Sequence, residues 1–334
     1  MDVVLDVLDT FAFDRVYAAA FPASETQLAL NKGLLSTYNQ NVGRYITLAP
    51  SEWATRSTWL RDDIKRQALS LFLITWFFGL VLYFVGSTIS YNFIFDKRSM
   101  EHPKFLRNQL SMEVRQAMEA MPVMAALTTP FFIGEVRGYT KLYDSPSEAP
   151  FPLYNYLQFP LFMAFTDFCI YWIHRGLHHP LIYKRFHKPH HKWIVPTPYA
   201  SYAFHPLDGW SQSVPYHIFP FFFPLQKVAY LGLFVFVTIW TVLIHDGEYV
   251  TQNPVVNGSA CHTLHHLYFN YNYGQFFTLW DRIGGSYRLP NDELFDKNLK
   301  MGKEEWERQC REAEKLVKEV EGTDDRTYSE KKDL

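Results

Sequence analysis

The sequence predicts an all-α protein: a multi-pass membrane helical bundle carrying a histidine-rich, di-metal helical domain on one membrane face. Three observations predict it. From Gln67 to Phe95 no charged residue occurs, and that run exceeds the ~20 apolar residues a helix needs to cross a bilayer. Further apolar runs recur at 120–134, 151–173 and 214–245. Twelve of the thirteen histidines lie between His174 and His266, nine of them in the clusters HRGLHH (His174, His178, His179), HKPHH (His187, His190, His191) and HTLHH (His262, His265, His266).

Taken in order, residues 1–66 read as an N-terminal arm and juxtamembrane segment. Asp2, Asp6 and Asp9 alternate with apolar residues and no basic stretch leads them, so the start is an amphipathic surface helix or a loosely docked arm rather than a signal peptide. Residues 67–173 are the transmembrane helices. Arg56, Arg61, Lys65 and Arg66 precede the first run and Lys97 and Arg98 follow it, so charge on both flanks orients it only weakly. The run Ala120 to Gly134 is short and holds Pro122 and Pro130, which predicts a tilted, kinked or re-entrant segment. The run Phe151 to Ile173 leads into the first cluster.

Residues 174–290 form the histidine-box domain and include a membrane hairpin, 214–244, with Pro220, Pro224 and Lys227 at its turn. The hairpin returns the chain to the face it left, so all three clusters share one side. Residues 291–334 are a charged helix and tail, whose stripe of Trp306, Cys310, Ala313, Val317 and Val320 is expected to pack on its own domain.

A net charge of −2 excludes an overall basic field for nucleic acid. Cys169, Cys261 and Cys310 are too few and too scattered for a disulfide framework, and Cys261 reads as a small buried thiol. A lone histidine on an apolar face is ordinarily a core residue, but three clusters in one span reverse that. Imidazole without thiolate suits iron, zinc, copper or nickel, and more ligands than one zinc needs point to two metals. His178 is in helical register with His174. Pro189 disfavours helix at Lys188, so HKPHH is expected to begin in a loop. Asp167, seven residues before His174, is either a hydrogen-bonded helix residue or a carboxylate orienting a ligand. With neither GxGxxG after a strand nor CxxCH, electrons must come from another protein. A membrane site favours a lipid substrate.

The boxes, together with YKRFHKPHHKWIVPTPYASYAFHPLDGWSQSVPYHIFPFFFP, IHDGEY and HTLHHLYFNYNYGQFFTLWDRIGGSYR, resemble the fatty-acid hydroxylase/sterol desaturase superfamily over Leu110 to Arg288. Within it they look like the sterol C5-desaturases. The resemblance implies metal ligands at His174, His179, His187, His190, His191, His262, His265 and His266, with His178 either ligand or neighbour. His205 in AFHP and His245 in IHDGEY match further family histidines, and Asp246 and Glu248 would hold imidazoles in orientation, or be ordinary interfacial charge. It further implies two non-haem iron ions, dioxygen, a Δ7-sterol losing hydrogens at C5 and C6, and electrons from NADH through cytochrome b5.

Lys184, Arg185, Lys188 and Lys192 would dock that donor, or simply mark a cytosolic interface. The implied location is the endoplasmic-reticulum membrane, with the boxes and C-terminus cytosolic, making this a cytosolic-face di-metal domain. Lys331 and Lys332 in the terminal KKDL resemble a dilysine retrieval signal. The sequon Asn257-Gly258-Ser259, read as an exposed turn, should then stay unmodified. Rival readings are a C4-methyl sterol oxidase or fatty-acid hydroxylase, and, from another class, a membrane zinc hydrolase or metal carrier. Against the latter stand the absence of HExxH and the high ligand count.

Overall fold

The computed structural model describes residues 1–38 and 48–329, so Lys331 and Lys332 lie outside the described residues. The chain forms two compact units, one of residues 1–78, 125–158 and 217–231, the other of residues 79–124, 159–216 and Gly232 onward.

The first unit begins with α1 (Asp2–Leu8), a π turn (Asp9–Phe13), α2 (Asp14–Ala20) and α3 (Glu25–Tyr38). The π turn accommodates one extra residue, which brings Asp14 onto the face of Asp6 and Asp9, where an unbroken α-helix would rotate it away. Arg61 donates to Asp6 (2.8 Å) and Asp14 (2.6 Å), and Arg66 to Asp9 (2.7 Å) and Asp14 (2.6 Å). None of these five side chains belongs to a residue more than 6% exposed. The loosely docked arm is thereby corrected: the acids that looked solvated are buried, and two arginines that looked like membrane flanks are their counter-ions. Burial of charge is tolerable only in such pairing. Around it Leu5, Leu71, Ile74 and Phe132 form an apolar core.

Among the described residues three helices are long and apolar enough to cross a membrane: α4 (Ile64–Phe93), α5 (Gln109–Val136) and, later, Lys227–Ile244. In the most apolar window of α4 only 22% is buried, and Phe77, Val85 and Phe93 face outward. An apolar face of that extent fits lipid, not water, so this is a membrane protein. The short or re-entrant second segment is also corrected. α5 is one continuous helix of 28 residues, running from Gln109 through both prolines, and the apolar run is merely its later part.

In chain order there follow β1 (Leu142–Tyr143), α6 (Tyr154–Leu177), α7 (Pro180–Ile182), a π turn (Tyr183–His187), α8 (Lys188–His191), α9 (Pro206–Phe222), β2 (Leu225–Gln226) and α10 (Lys227–Ile244). β1 and β2 pair in parallel. Lys188 is helical (φ −52°, ψ −37°), so HKPHH enters its helix from a π turn rather than a loop. Pro189 is in the first turn, where its missing N–H forgoes no intrahelical bond.

The second unit ends with α11 (Ser259–Tyr268), α12 (Leu279–Gly284), α13 (Lys297–Lys300) and α14 (Lys303–Val320). The apolar stripe of α14 packs within its own unit: Val317 joins Tyr183, Ile194, Leu264, Leu267, Tyr268 and Phe269 in the core behind the third box.

Replacing Arg66 by Ala should cost ~3–5 kcal/mol, because two buried carboxylates lose a counter-ion. Arg56→Ala, which breaks an exposed pair with Glu52, should be nearly silent. Thermal unfolding of detergent-solubilised protein compares them, and equal midpoints would deny the network its stabilising role.

Candidate metal centre

The boxes do not each make one site; helical register divides them. On α11, His262 and His266 are four residues apart and share a face, while His265 turns to the next. Across the π turn and α8, His187 and His191 face one way and His190 the other. The result is two groups: His174, His178, His187, His191 and His265, and His190, His245, His262 and His266. Within each group one ring nitrogen per residue lies within 4.8 Å of every other, and eight of the nine residues are buried, His178 being half-buried.

Six of the nine rings have Nδ1 facing a fixed oxygen acceptor. His174 meets the carbonyl of Tyr273 (2.9 Å), His265 that of Tyr271 (2.7 Å), His266 that of Trp193 (2.9 Å), His245 that of Thr241 (2.7 Å) and His190 that of Ala203 (3.4 Å). The sixth contact is not a carbonyl but a carboxylate: His187 Nδ1 donates to Asp208 at 2.8 Å. A carbonyl or carboxylate can only accept, so in each ring Nδ1 carries the proton and Nε2 presents a lone pair.

These Nε2 atoms then face one another. In the first group the separations are 3.1 Å (His174 to His187), 3.1 Å (His187 to His191) and 3.2 Å (His178 to His191). In the second they are 3.0 Å (His245 to His262), 3.2 Å (His262 to His266) and 3.5 Å (His190 to His245). Where both rings are locked, as at His174–His187 and His190–His245, the facing lone pairs repel unless a cation lies among them. Burial, then the neighbouring imidazoles, hold His191, His262 and His265 well below the usual histidine range, so protons do not supply that cation. The donor set fits two metal ions.

Loops supply four of the five orienting carbonyls, that of Thr241 being in α10, and buried carboxylates hold the loops. After α11 the chain reverses through Phe269 (φ 58°) and Asn272 (φ 56°). Asp281 accepts the amides of Tyr273 and Gly274 at 2.8 Å each. Asp167 Oδ1 accepts those of Gln275, Phe276 and Phe277 at 3.1, 2.7 and 3.3 Å. A Cβ at position 274 would strike the Phe277 carbonyl, hence the glycine. Asp167 thus reaches the imidazoles through a loop rather than by contact. On the other side Glu113 accepts from the Thr197 hydroxyl and from its amide (3.2 Å), securing the segment that ends at the Ala203 carbonyl.

The sequence reading missed Asp208, Asp281 and Glu113. Asp208 was within the quoted FHPLDGW, but a carboxylate 21 residues from its partner has no local signature.

The remaining expected residues belong to neither group. His179 is exposed and its Nδ1 caps the Leu181 amide (3.4 Å). His205 caps Leu207 (3.3 Å) and packs on Phe186. Asp246 accepts from the Glu248 amide (2.8 Å) and Ser259 (3.2 Å), and burial pushes its carboxyl up to about 7. Glu248 pairs with Lys297 (2.6 Å). Of the basic residues, Lys184 and Arg185 are exposed, Lys188 is neutralised by Glu321 (3.3 Å) and Asp325 (3.0 Å), and Lys192 lies over the Trp193 ring. The exposed sequon is corrected: Asn257 is 3% exposed and its amide donates to the Gly274 carbonyl. A folded chain hides it from any transferase, so its modification state does not report topology.

Residues 159–286 match the fatty acid hydroxylase family model. Over 330 residues the chain is 66% identical to the Delta(7)-sterol 5(6)-desaturase erg3B of Aspergillus fumigatus, covering 99% of this chain and 98% of that one. The chain belongs to the Delta(7)-sterol 5(6)-desaturase family. Family members also include the probable enzyme of Neurospora crassa, 58% identical over 335 residues (98% of this chain, 97% of that one), and ERG3 of Candida albicans, 46% identical over 385 residues (99% and 100%). No solved structure matches the chain.

Asp208→Ala and Asp281→Ala, each removing a group that holds an imidazole in orientation, should weaken metal retention by ~10–100-fold. Elemental analysis after equilibration against buffered free metal reads this directly. Retention equal to the unaltered protein would reduce both carboxylates to packing.

Proposed function

We propose that this chain removes the hydrogens at C5 and C6 of a Δ7-sterol, with dioxygen as oxidant. Two hydrogens leave the sterol, two electrons arrive from NADH through cytochrome b5 and two protons are taken up from water, so that one dioxygen becomes two waters. The observation that carries the reading is the pair of buried groups of converging imidazole nitrogens, in a chain of this family. His174, His178, His187, His191 and His265 would hold one non-haem iron and His190, His245, His262 and His266 the other. His179 and His205 are left out because neither faces a group.

Bound iron would supply the dioxygen chemistry; the chain supplies the rest. Nδ1–H bonds to five carbonyls and the Asp208 carboxylate aim six of the nine Nε2 atoms inward before metal arrives, so little reorganisation is needed. Burial keeps the imidazoles neutral and excludes bulk water from a reactive site. The sister-oxygenase and zinc-hydrolase readings are not favoured, since the relatives above share one name.

The reading places the protein in the endoplasmic-reticulum membrane with the boxes facing the cytosol, where an acidic donor meets Lys184 and Arg185. Lys188 and Lys192 drop from that surface, being already engaged within the chain.

Cells lacking the protein should accumulate a Δ7-sterol without the 5,6 double bond, and neither His190→Ala nor His265→Ala, one from each group, should restore its conversion. Full turnover in either variant would remove that histidine from the ligand set, and purified protein holding zinc alone would sink the iron reading.

Charge reversal at Lys184 and Arg185 together should lower turnover at limiting cytochrome b5 and flatten its salt dependence. A cysteine at position 184 should react with an impermeant maleimide in sealed microsomes without detergent. Labelling only after detergent would put the site on the wrong side for this donor.

A further inference from the structure

A cavity of about 410 Å³ lies beside the second imidazole group, within the second unit. It is in the ~300–1,000 Å³ range of small-molecule pockets. Trp240, Ile244, Val256, Ala260 and Leu289 give it a largely apolar wall. Ile244 and Asp246 flank His245, and Cys261 precedes His262, and all three line the cavity. His245 and His262, 3.0 Å apart at Nε2, are thus next in sequence to residues of its wall, though neither lines it.

Three carboxylates reach this space. Asp292 is exposed and Glu248 is paired with Lys297. Asp246 is 3% exposed, and no salt bridge engages it among the described residues. Both of its hydrogen bonds fall on Oδ1, from the Glu248 amide and Ser259. Oδ2 is left to the cavity, while Glu248 Oε1, buried without a hydrogen-bond donor, lies 4.0 Å from the Lys300 ammonium; an apolar cavity with one carboxylate acceptor that no cation pairs fits an apolar molecule bearing one hydroxyl.

We propose that this cavity receives the A-ring end of the substrate, with Asp246 Oδ2 accepting a hydrogen bond from a 3β-hydroxyl. The inference rests on the sterol reading above. In a Δ7-sterol the 3β-hydroxyl is the polar end, and only C3 and C4 separate its oxygen from C5. Whatever holds that hydroxyl must therefore be an immediate neighbour of the centre acting on C5 and C6. Asp246, next in sequence to His245, is such a neighbour. The remaining rings and side chain need no polar partner, in keeping with the apolar wall.

The test uses the full-length holoprotein with its electron donor and compares a 3β-hydroxy Δ7-sterol with its 3-O-methyl ether. The unaltered protein should show a KM about ten- to a hundred-fold higher for the ether, the loss expected for one charge-assisted hydrogen bond. In Asp246→Ala the KM for the hydroxy sterol should rise to that of the ether, while the ether's own KM stays unchanged. To keep the test independent of that variant's folding, a second measurement follows binding of the fluorescent 3β-hydroxy sterol dehydroergosterol to Leu289→Trp, which narrows the cavity from an exposed position and should weaken binding at least ten-fold. Equal KM for hydroxy sterol and ether, or unchanged binding in Leu289→Trp, overturns the assignment of the cavity and leaves the desaturase reading standing. Failure of the unaltered holoprotein to desaturate any Δ7-sterol overturns the functional reading itself.

Discussion

The constraint on which the catalytic unit depends is the locking of Nδ1. An imidazole has two nitrogens, and whichever binds a fixed acceptor keeps the proton. Backbone carbonyls from Thr241, Trp193, Ala203, Tyr271 and Tyr273 and the carboxylate of Asp208 take that proton in six rings. Their Nε2 lone pairs are thereby committed to two small volumes where they repel one another. Such an arrangement is unfavourable for a bare chain and favourable for one holding cations, so metal binding and the native packing of this unit reinforce each other.

Thr241 offers its carbonyl from within α10, but the other four carbonyls lie in loops that must be rigid, and buried carboxylates tie those loops. Asp281 and Asp167 hold consecutive amides from Tyr273 to Phe277, and Glu113 holds Thr197. The motif NYNYGQFFTLWD is thus a clamp: its asparagine accepts a positive φ, its glycine admits a close carbonyl, and its aspartate closes the turn. The N-terminal unit applies the same rule to another end, pairing Asp6, Asp9 and Asp14 with Arg61 and Arg66. In both units buried charge specifies position, and lipid-facing helices supply the apolar bulk.

The sequence by itself determined the helical class, the membrane character, the histidine boxes and the family, because each is written in local patterns: uncharged runs of bilayer length, and residue spacings matched to the helical turn. The packing of the C-terminal stripe was legible for the same reason. Only the tertiary structure decided how nine histidines divide into five and four, since that depends on which faces of α6, α8 and α11 meet. It alone distinguished His178 from His179: α6 ends at Leu177, yet the His178 amide still bonds the His174 carbonyl and keeps that imidazole in register, while His179 turns away to cap Leu181. It also decided that Asn257 is buried and that Arg61 and Arg66 face inward. The charge of a side chain is read from one letter, but its environment is set by residues tens of positions away.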